Sequence, residues 1–199
     1  MTRGRPRSFD PDVALQAAML VFWRDGFRAA SMAALTAAMG INKPSLYAAF
    51  GDKEQLYQKA LARYAARHGM AHYRALHEQK DARRAVEACL RSRVDDQTDP
   101  ARPRGCFEVV GSADCGTPGM PQSVDDALRG AVRAQAAMFE ARLKRAVALG
   151  QLPPETDYRA LGVYFATVAS GLAVQARAGA SRKSLMAVVD SAMAAWPAR

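Results

Sequence analysis

The sequence predicts an all-α protein, with a small N-terminal three-helix head joined by a long helix to a larger helical body. Three observations lead there. Apolar residues recur at helical spacing in nearly every long segment, as Ala14, Leu15, Ala18, Val21 and Phe22 do. Asp, Ser, Asn, Gly and Pro stand where such segments begin or stop. Between Gly40 and Glu54, two tight turns enclose one short helix, the layout of a helix-turn-helix. The predicted units are residues 1–52, a basic arm and the head, and residues 53–199, the connecting helix and the body.

The first helix is capped by Asp10, takes Pro11 in its first turn and ends at Asp25-Gly26. Ser31 caps the second, which turns Leu35, Ala38 and Met39 inward. Gly40 ends that helix in the left-handed conformation, Asn42 caps the third, and Pro44 has no N–H to lose in its first turn. Leu46 and Phe50 lie i,i+4 and face the core, leaving Lys43, Ser45 and Tyr47 outward. Phe22, Leu35, Leu46, Phe50 and Leu56 make the expected small core of the head. Asp52 and Gln55 form a capping box that opens a fourth helix reaching about Leu76.

In the body, residues 81–97 form a helix with Ala85, Val86, Cys89, Leu90 and Val94 as its apolar side. A Pro- and Arg-containing loop follows. The apolar run from Cys106 to Ala113 is too short for periodicity to separate strand from helix. Gly116, Pro118, Gly119 and Pro121 make the next stretch a flexible loop. Ser123 is the expected cap of a long helix, with Asp126 at the box position, ending at Gly150. Two more helices are expected, at 157–178 and 182–195. The first carries a large stripe, Leu161, Phe165, Val168 and Leu172, expected to face the subunit core. It also carries a small one, Gly162, Ala166, Ala169 and Ala173, which would let another helix approach closely. The alternative is that both stripes are buried in one subunit.

The stretch from Gly40 to Glu54 resembles the DNA-binding signature of the TetR family of regulators. That signature runs Gly-hydrophobic-Ser-x-Gly-Ser/Thr-Leu-Tyr-x-x-Phe-x-x-Lys-Glu, and Gly40, Ile41, Ser45, Leu46, Tyr47, Phe50, Lys53 and Glu54 match it. Asn42 replaces the usual Ser, Pro44 the frequent Gly, and Thr36 the usual Ala. The resemblance covers residues 8–60. It implies a ligand-responsive regulator, expected to be a repressor, that binds a palindromic double-stranded operator as a homodimer. It further implies that the last two helices of each chain pack as a four-helix bundle, that residues 106–113 are helical, and that an unknown small-molecule effector binds the body. The expected DNA contacts are Arg3, Arg5, Arg7, Ser31, Thr36, Asn42, Lys43, Pro44, Ser45, Tyr47 and Lys53. Two rival readings remain: an activator or architectural DNA binder without a small-molecule ligand, and redox or electrophile sensing through Cys106.

Composition agrees with a nucleic-acid partner. Residues 1–74 hold eleven Lys and Arg against five Asp and Glu, a net of +6 within the total of +9. No apolar run reaches the roughly 20 residues that span a bilayer, so no membrane association is expected. Three widely spaced cysteines form no disulfide framework and suit a reducing cytoplasm. There is no Gly-rich phosphate loop, nucleophile elbow or oriented base, so neither enzyme activity nor a cofactor is expected. His68 and His72 are four apart but lack a third ligand at matching spacing, so no metal site is expected either. Seven large residues are candidate pocket walls: Tyr73, Phe107, Val110, Met138, Phe139, Tyr164 and Val168. Cys106, at a possible helix N-terminus, is the candidate low-pKa thiol, with Cys115 as its resolving partner.

Overall fold

The computed structural model describes residues 9–197, and every regular element among them is helical. Helix α1 (Pro11–Ala29) starts where Asp10 accepts hydrogen bonds from the Asp12 and Val13 N–H groups. Gly26 interrupts it, as expected, but as a kink (φ 75°, ψ 174°) after which the chain resumes helical geometry to Ala29. Helix α2 (Met32–Met39) is capped by Ser31 and closed by Gly40 at φ 65°. Helix α3 (Lys43–Phe50) is capped by Asn42. All five expected head-core residues are buried. Ala38 is exposed, because α2 has only eight residues and Leu35 and Met39 suffice for its buried face.

Helix α4 (Lys53–Tyr64) opens with the Asp52/Gln55 capping box. The connecting helix is not uniform. A π-helical turn, Ala65–Gly69, separates α4 from α5 (Met70–Glu78). Helix α6 (Ala82–Gln97) packs along α5, and α7 (Phe107–Ser112) resolves the 106–113 ambiguity as helix. Helix α8 (Gln122–Ala148) begins slightly earlier than expected, directly after Pro121. Ser123 does not cap it: its hydroxyl donates instead to Glu54 at 2.6 Å, tying α8 to the first turn of α4. Helices α9 (Tyr158–Arg177) and α10 (Arg182–Ala194) complete the chain.

Two cores result. One runs from α1 through Tyr64 and takes in Cys106, Phe107 and Val109 from the α7 segment, with Val124, Leu128 and Ala173. The packing therefore continues past residue 52 into the body. The other is built by α5, α6, α8, α9 and α10. The small stripe of α9 lies inside this subunit rather than toward a partner. Gly162 is buried where an added Cβ would stand 3.0 Å from the Glu140 backbone, and Ala166, Ala169 and Ala173 are buried with it. Small residues are used here to bring α8 close, so α9 presents a different row, Val163, Tyr164 and Val174, beside Val188 of α10. No helix among the described residues is long and apolar enough to cross a membrane.

Candidate nucleic-acid interface and ligand cavity

The outer face of α3 is set by how its ends are tied. The Asn42 side chain accepts the Ser45 N–H at 2.8 Å, and Lys59 donates to the Phe50 carbonyl at 2.7 Å at the other end. Leu46 and Phe50 anchor the inner face, leaving Lys43, Pro44, Tyr47 and Ala48 exposed and Ser45 half-buried. Tyr47 keeps 51% of its surface in solvent, which a purely structural ring would not. Lys43 and Tyr47 thus share an accessible surface, their polar ends without a partner among the described residues.

The flanking candidates are more committed. Ser31 accepts the Ala34 N–H, and the Thr36 hydroxyl donates to the Met32 and Ala33 carbonyls, so both already serve α2. The Lys53 ammonium donates to the Arg28 carbonyl at 3.4 Å and sits 4.6 Å above the Phe27 ring. Burial lowers its pKa. Arg3, Arg5 and Arg7 lie outside the described residues.

A cavity of about 480 Å³ opens between α4, the π turn, α5 and α8, with Arg93 of α6 and Glu108 of α7 at its wall. Of the seven expected lining residues only Tyr73 and Met138 reach it. Phe107 fills the head-side core, edge-on to Tyr57 (5.2 Å) and Tyr64 (5.7 Å). Phe139 is fully buried against Phe165 in the second core. Val110 packs beside Gly105, Tyr164 is on the exposed face of α9, and Val168 lines a separate groove between α9 and α10. Large apolar residues fill space; the cavity exists where Ala62 and Ala65 on the α4 side meet Ala127, Gly130, Ala131 and Ala134 of α8. Those positions recur at helical spacing in the sequence, and that recurrence is the signal that marks them.

The expectation for Cys106 is overturned. It stands at the N-cap of α7 but is only 3% exposed, and burial pushes its thiol pKa up, with the Glu108 charge adding to the rise. Desolvation outweighs the end of so short a helix. Arg102 and Arg104 do not turn toward it: Arg102 pairs with Asp96 and Asp99, and Arg104 donates to the Ala176 and Ala180 carbonyls. Burial likewise raises Cys115, to about 11, with Asp125 contributing, and it raises Cys89. The described cysteines thus offer no poised thiolate. His68 and His72 both turn to one carboxylate, Asp96, at 3.1 and 3.7 Å.

The chain matches the family described as "Bacterial regulatory proteins, tetR family" over residues 14–60, and "Tetracyclin repressor-like, C-terminal domain" over residues 82–192. It is 34% identical to the HTH-type transcriptional repressor ComR of Escherichia coli (strain K12), covering 98% of this chain and 93% of the relative. It is 31% identical to the HTH-type transcriptional repressor BdcR of the same strain, covering 95% and 90%. Its fold superposes with a TM-score of 0.93 on a cysteine-substituted mutant of the TetR family transcriptional regulator CifR complexed with 26-bp double-strand operator DNA. That pair is 45% identical over 98% of this chain and all of the other. The chain belongs to the TetR family, and with it to the DNA-binding transcriptional regulators rather than to the enzymes.

Proposed function

We propose that this protein is a repressor that binds palindromic operator DNA as a homodimer and leaves it when a small molecule occupies the α4–α8 cavity. The observation that carries this reading is the exposed Lys43/Tyr47 face of a helix capped at both ends, in a fold 45% identical to one held on operator DNA. Lys43 can reach a phosphate or a guanine edge, and the Tyr47 hydroxyl a phosphate. Pro44 and Ala48 allow close approach. Lys53, partly desolvated in the first turn of α4, gains a stronger partner when a phosphate reaches that helix end. Arg3, Arg5 and Arg7, ahead of α1 in the sequence, add positive charge that suits a phosphate backbone. The relatives ComR and BdcR are both named repressors, which favours repression over activation. A protein that acts on operator DNA works in the cytoplasm.

The homodimer forms through α9 and α10, whose Val163, Tyr164, Val174 and Val188 are apolar side chains left exposed in one chain. Two heads then meet major-groove segments about 34–36 Å apart. The cavity lies beside α4 and touches α7 through Glu108, next to Phe107, which packs on Tyr57 and Tyr64 of α4. A ligand that moves α7 thereby turns α4 and changes the spacing of the heads.

The test is Lys43→Ala, with the operator taken from genome-wide mapping of bound sites. Operator affinity is expected to fall about tenfold and the salt slope by about 1, while the melting temperature stays at the wild-type value. Unchanged affinity would remove α3 from the interface.

A further inference from the structure

We infer that the cavity between α4 and α8 takes an organic monocarboxylate, an acid with an apolar body whose carboxylate pairs with Arg93. The inference rests on reading this cavity as the effector site and adds the chemical class of what enters it.

Arg93 is buried without an ion pair among the described residues; Glu108, across the same cavity, feels its charge from beyond pairing distance. It is 5% exposed, yet no carboxylate lies within 4.0 Å of its guanidinium among the described residues. Among the described residues its one hydrogen bond to an oxygen is from Nη1 to Gln135 Oε1 at 3.1 Å, and its buried Nε has no partner. Gln135 is held in that orientation because its amide nitrogen donates to the Ala166 carbonyl and the Ser170 hydroxyl. A neutral acceptor is therefore supplied, but not an ion pair. The two nearest thiols, Cys89 and Cys106, are kept protonated by burial and supply none. Buried charges in folded proteins are ordinarily paired. Here the space beside the unpaired cation is a cavity of about 480 Å³, within the range of small-molecule sites.

The rest of the wall fixes the remainder of the ligand. Apart from Arg93 and Glu108, every lining residue is uncharged, and Leu61, Met70, Met138 and the alanines of α4 and α8 offer hydrocarbon surface. A planar carboxylate matches the guanidinium fork, and an alkyl or aryl body matches those alanines. Glu108 shares the cavity without forming an ion pair to Arg93. Burial raises the Glu108 carboxyl pKa against the pull of Arg93, so Glu108 can take the proton when a ligand carboxylate pairs with the guanidinium, and one added negative charge is the most the site accommodates.

Three ligands with one tail and different heads test this directly: octanoate, octanol and octylamine, titrated calorimetrically into the full-length protein. Octanoate is expected to bind at least tenfold more tightly than the other two. Equal affinities, or no binding by any of them, would overturn the inference, and a preference for octylamine would assign the anchor to Glu108 instead. Arg93→Met is expected to lose the octanoate preference while melting no lower than wild type, since it removes an unpaired buried charge. Ala131→Phe, which fills the cavity and leaves the Arg93 side chain itself unaltered, is expected to abolish binding by steric exclusion. A retained octanoate preference in folded Arg93→Met, or retained octanoate binding in folded Ala131→Phe, would overturn the site. A mobility shift of the operator complex with octanoate separates the two readings. Tight binding without DNA release leaves the ligand class standing and removes the effector role. Release by octanol or octylamine alone does the reverse.

Discussion

The core under α3 gathers Phe22, Trp23, Phe27, Tyr57, Tyr64 and Phe107, whereas the body core is mostly Leu, Val and Ala around Phe139 and Phe165. In the first, rings meet edge-on at 4.9–5.7 Å, from Phe22–Tyr57 and Trp23–Tyr64 to Tyr64–Phe107. Such rings have few rotamers and interlock, so a tilt of one carries to the next. In the second, small side chains let α8 and α9 lie close, and small helix faces can slide. Interlocked rings thus join head to α7, while the slidable layer borders the cavity. What differs between the regions is how each would respond to a ligand.

Phe107→Ala is the strongest challenge to this contrast. It should cost about 3–5 kcal/mol, a melting temperature lower by roughly 6–20 °C, and weaken operator binding by protein that is still folded. Phe139→Ala should cost a similar amount yet leave the operator affinity of the folded protein unchanged. Differential scanning calorimetry beside DNA titration at a temperature where both variants are folded decides it. Equal losses of affinity would mean that the two cores act as one.

Gly162→Val probes the sliding layer. Its Cβ would press on the Glu140 backbone, and overpacking of this kind costs about 1–3 kcal/mol. Denaturant unfolding should show that loss, with operator affinity retained. Ala166→Glu, aimed at a buried stripe, should unfold the subunit; Val174→Glu, on the exposed row, should instead give a folded monomer by light scattering.

Acid should act at the seam between the regions, with a smaller effect. Burial holds His72 below its usual pKa against the pull of Asp96. Burial pushes Asp96 upward, but hydrogen bonds from His68 and His72 and the Arg102 charge hold it well below the carboxylate range. In both cases the unfolded chain binds the proton more readily. Stability is therefore complete above pH about 6.5, declines as His72 is forced to charge, and falls again below about pH 4 as Asp96 protonates. Melting temperatures across that range should show both steps, and Asp96→Asn should remove the lower one. The smallest expected effect is Ser123→Ala, about 0.5–1.5 kcal/mol from one solvent-facing bond to Glu54.

The head is legible in the sequence because its signals are local. Asp10, Ser31, Asn42 and Asp52 each cap the helix that begins beside them, within three residues of their partners. The body depends on distant partners. Nothing near Ser123 announces that Glu54, 69 residues away, will claim its hydroxyl. The α9 stripes are both visible, but α8 decides which neighbour the small one admits. The place of Cys106 at a helix start is local information, whereas the burial that reverses its pKa comes from residues far along the chain. The cavity escapes the sequence for a different reason. Phe107, Phe139 and Tyr164 have the size of walls, but an opening is marked by residues too small to close it.

The π turn at Ala65–Gly69 has a bearing on descent. A π turn lets a helix store one surplus residue without rotating the segment beyond it. Here Leu61 and Tyr64 before the turn, and His72 and Leu76 after it, all keep their buried sides. The segment therefore accommodates one extra residue without disturbing the packing on either flank. Homologues one residue shorter in this stretch should carry an unbroken α-helix with the same buried faces. Deleting Ala66 should give an unbroken α-helix and leave a folded protein, at the expense of the bulge that borders the cavity.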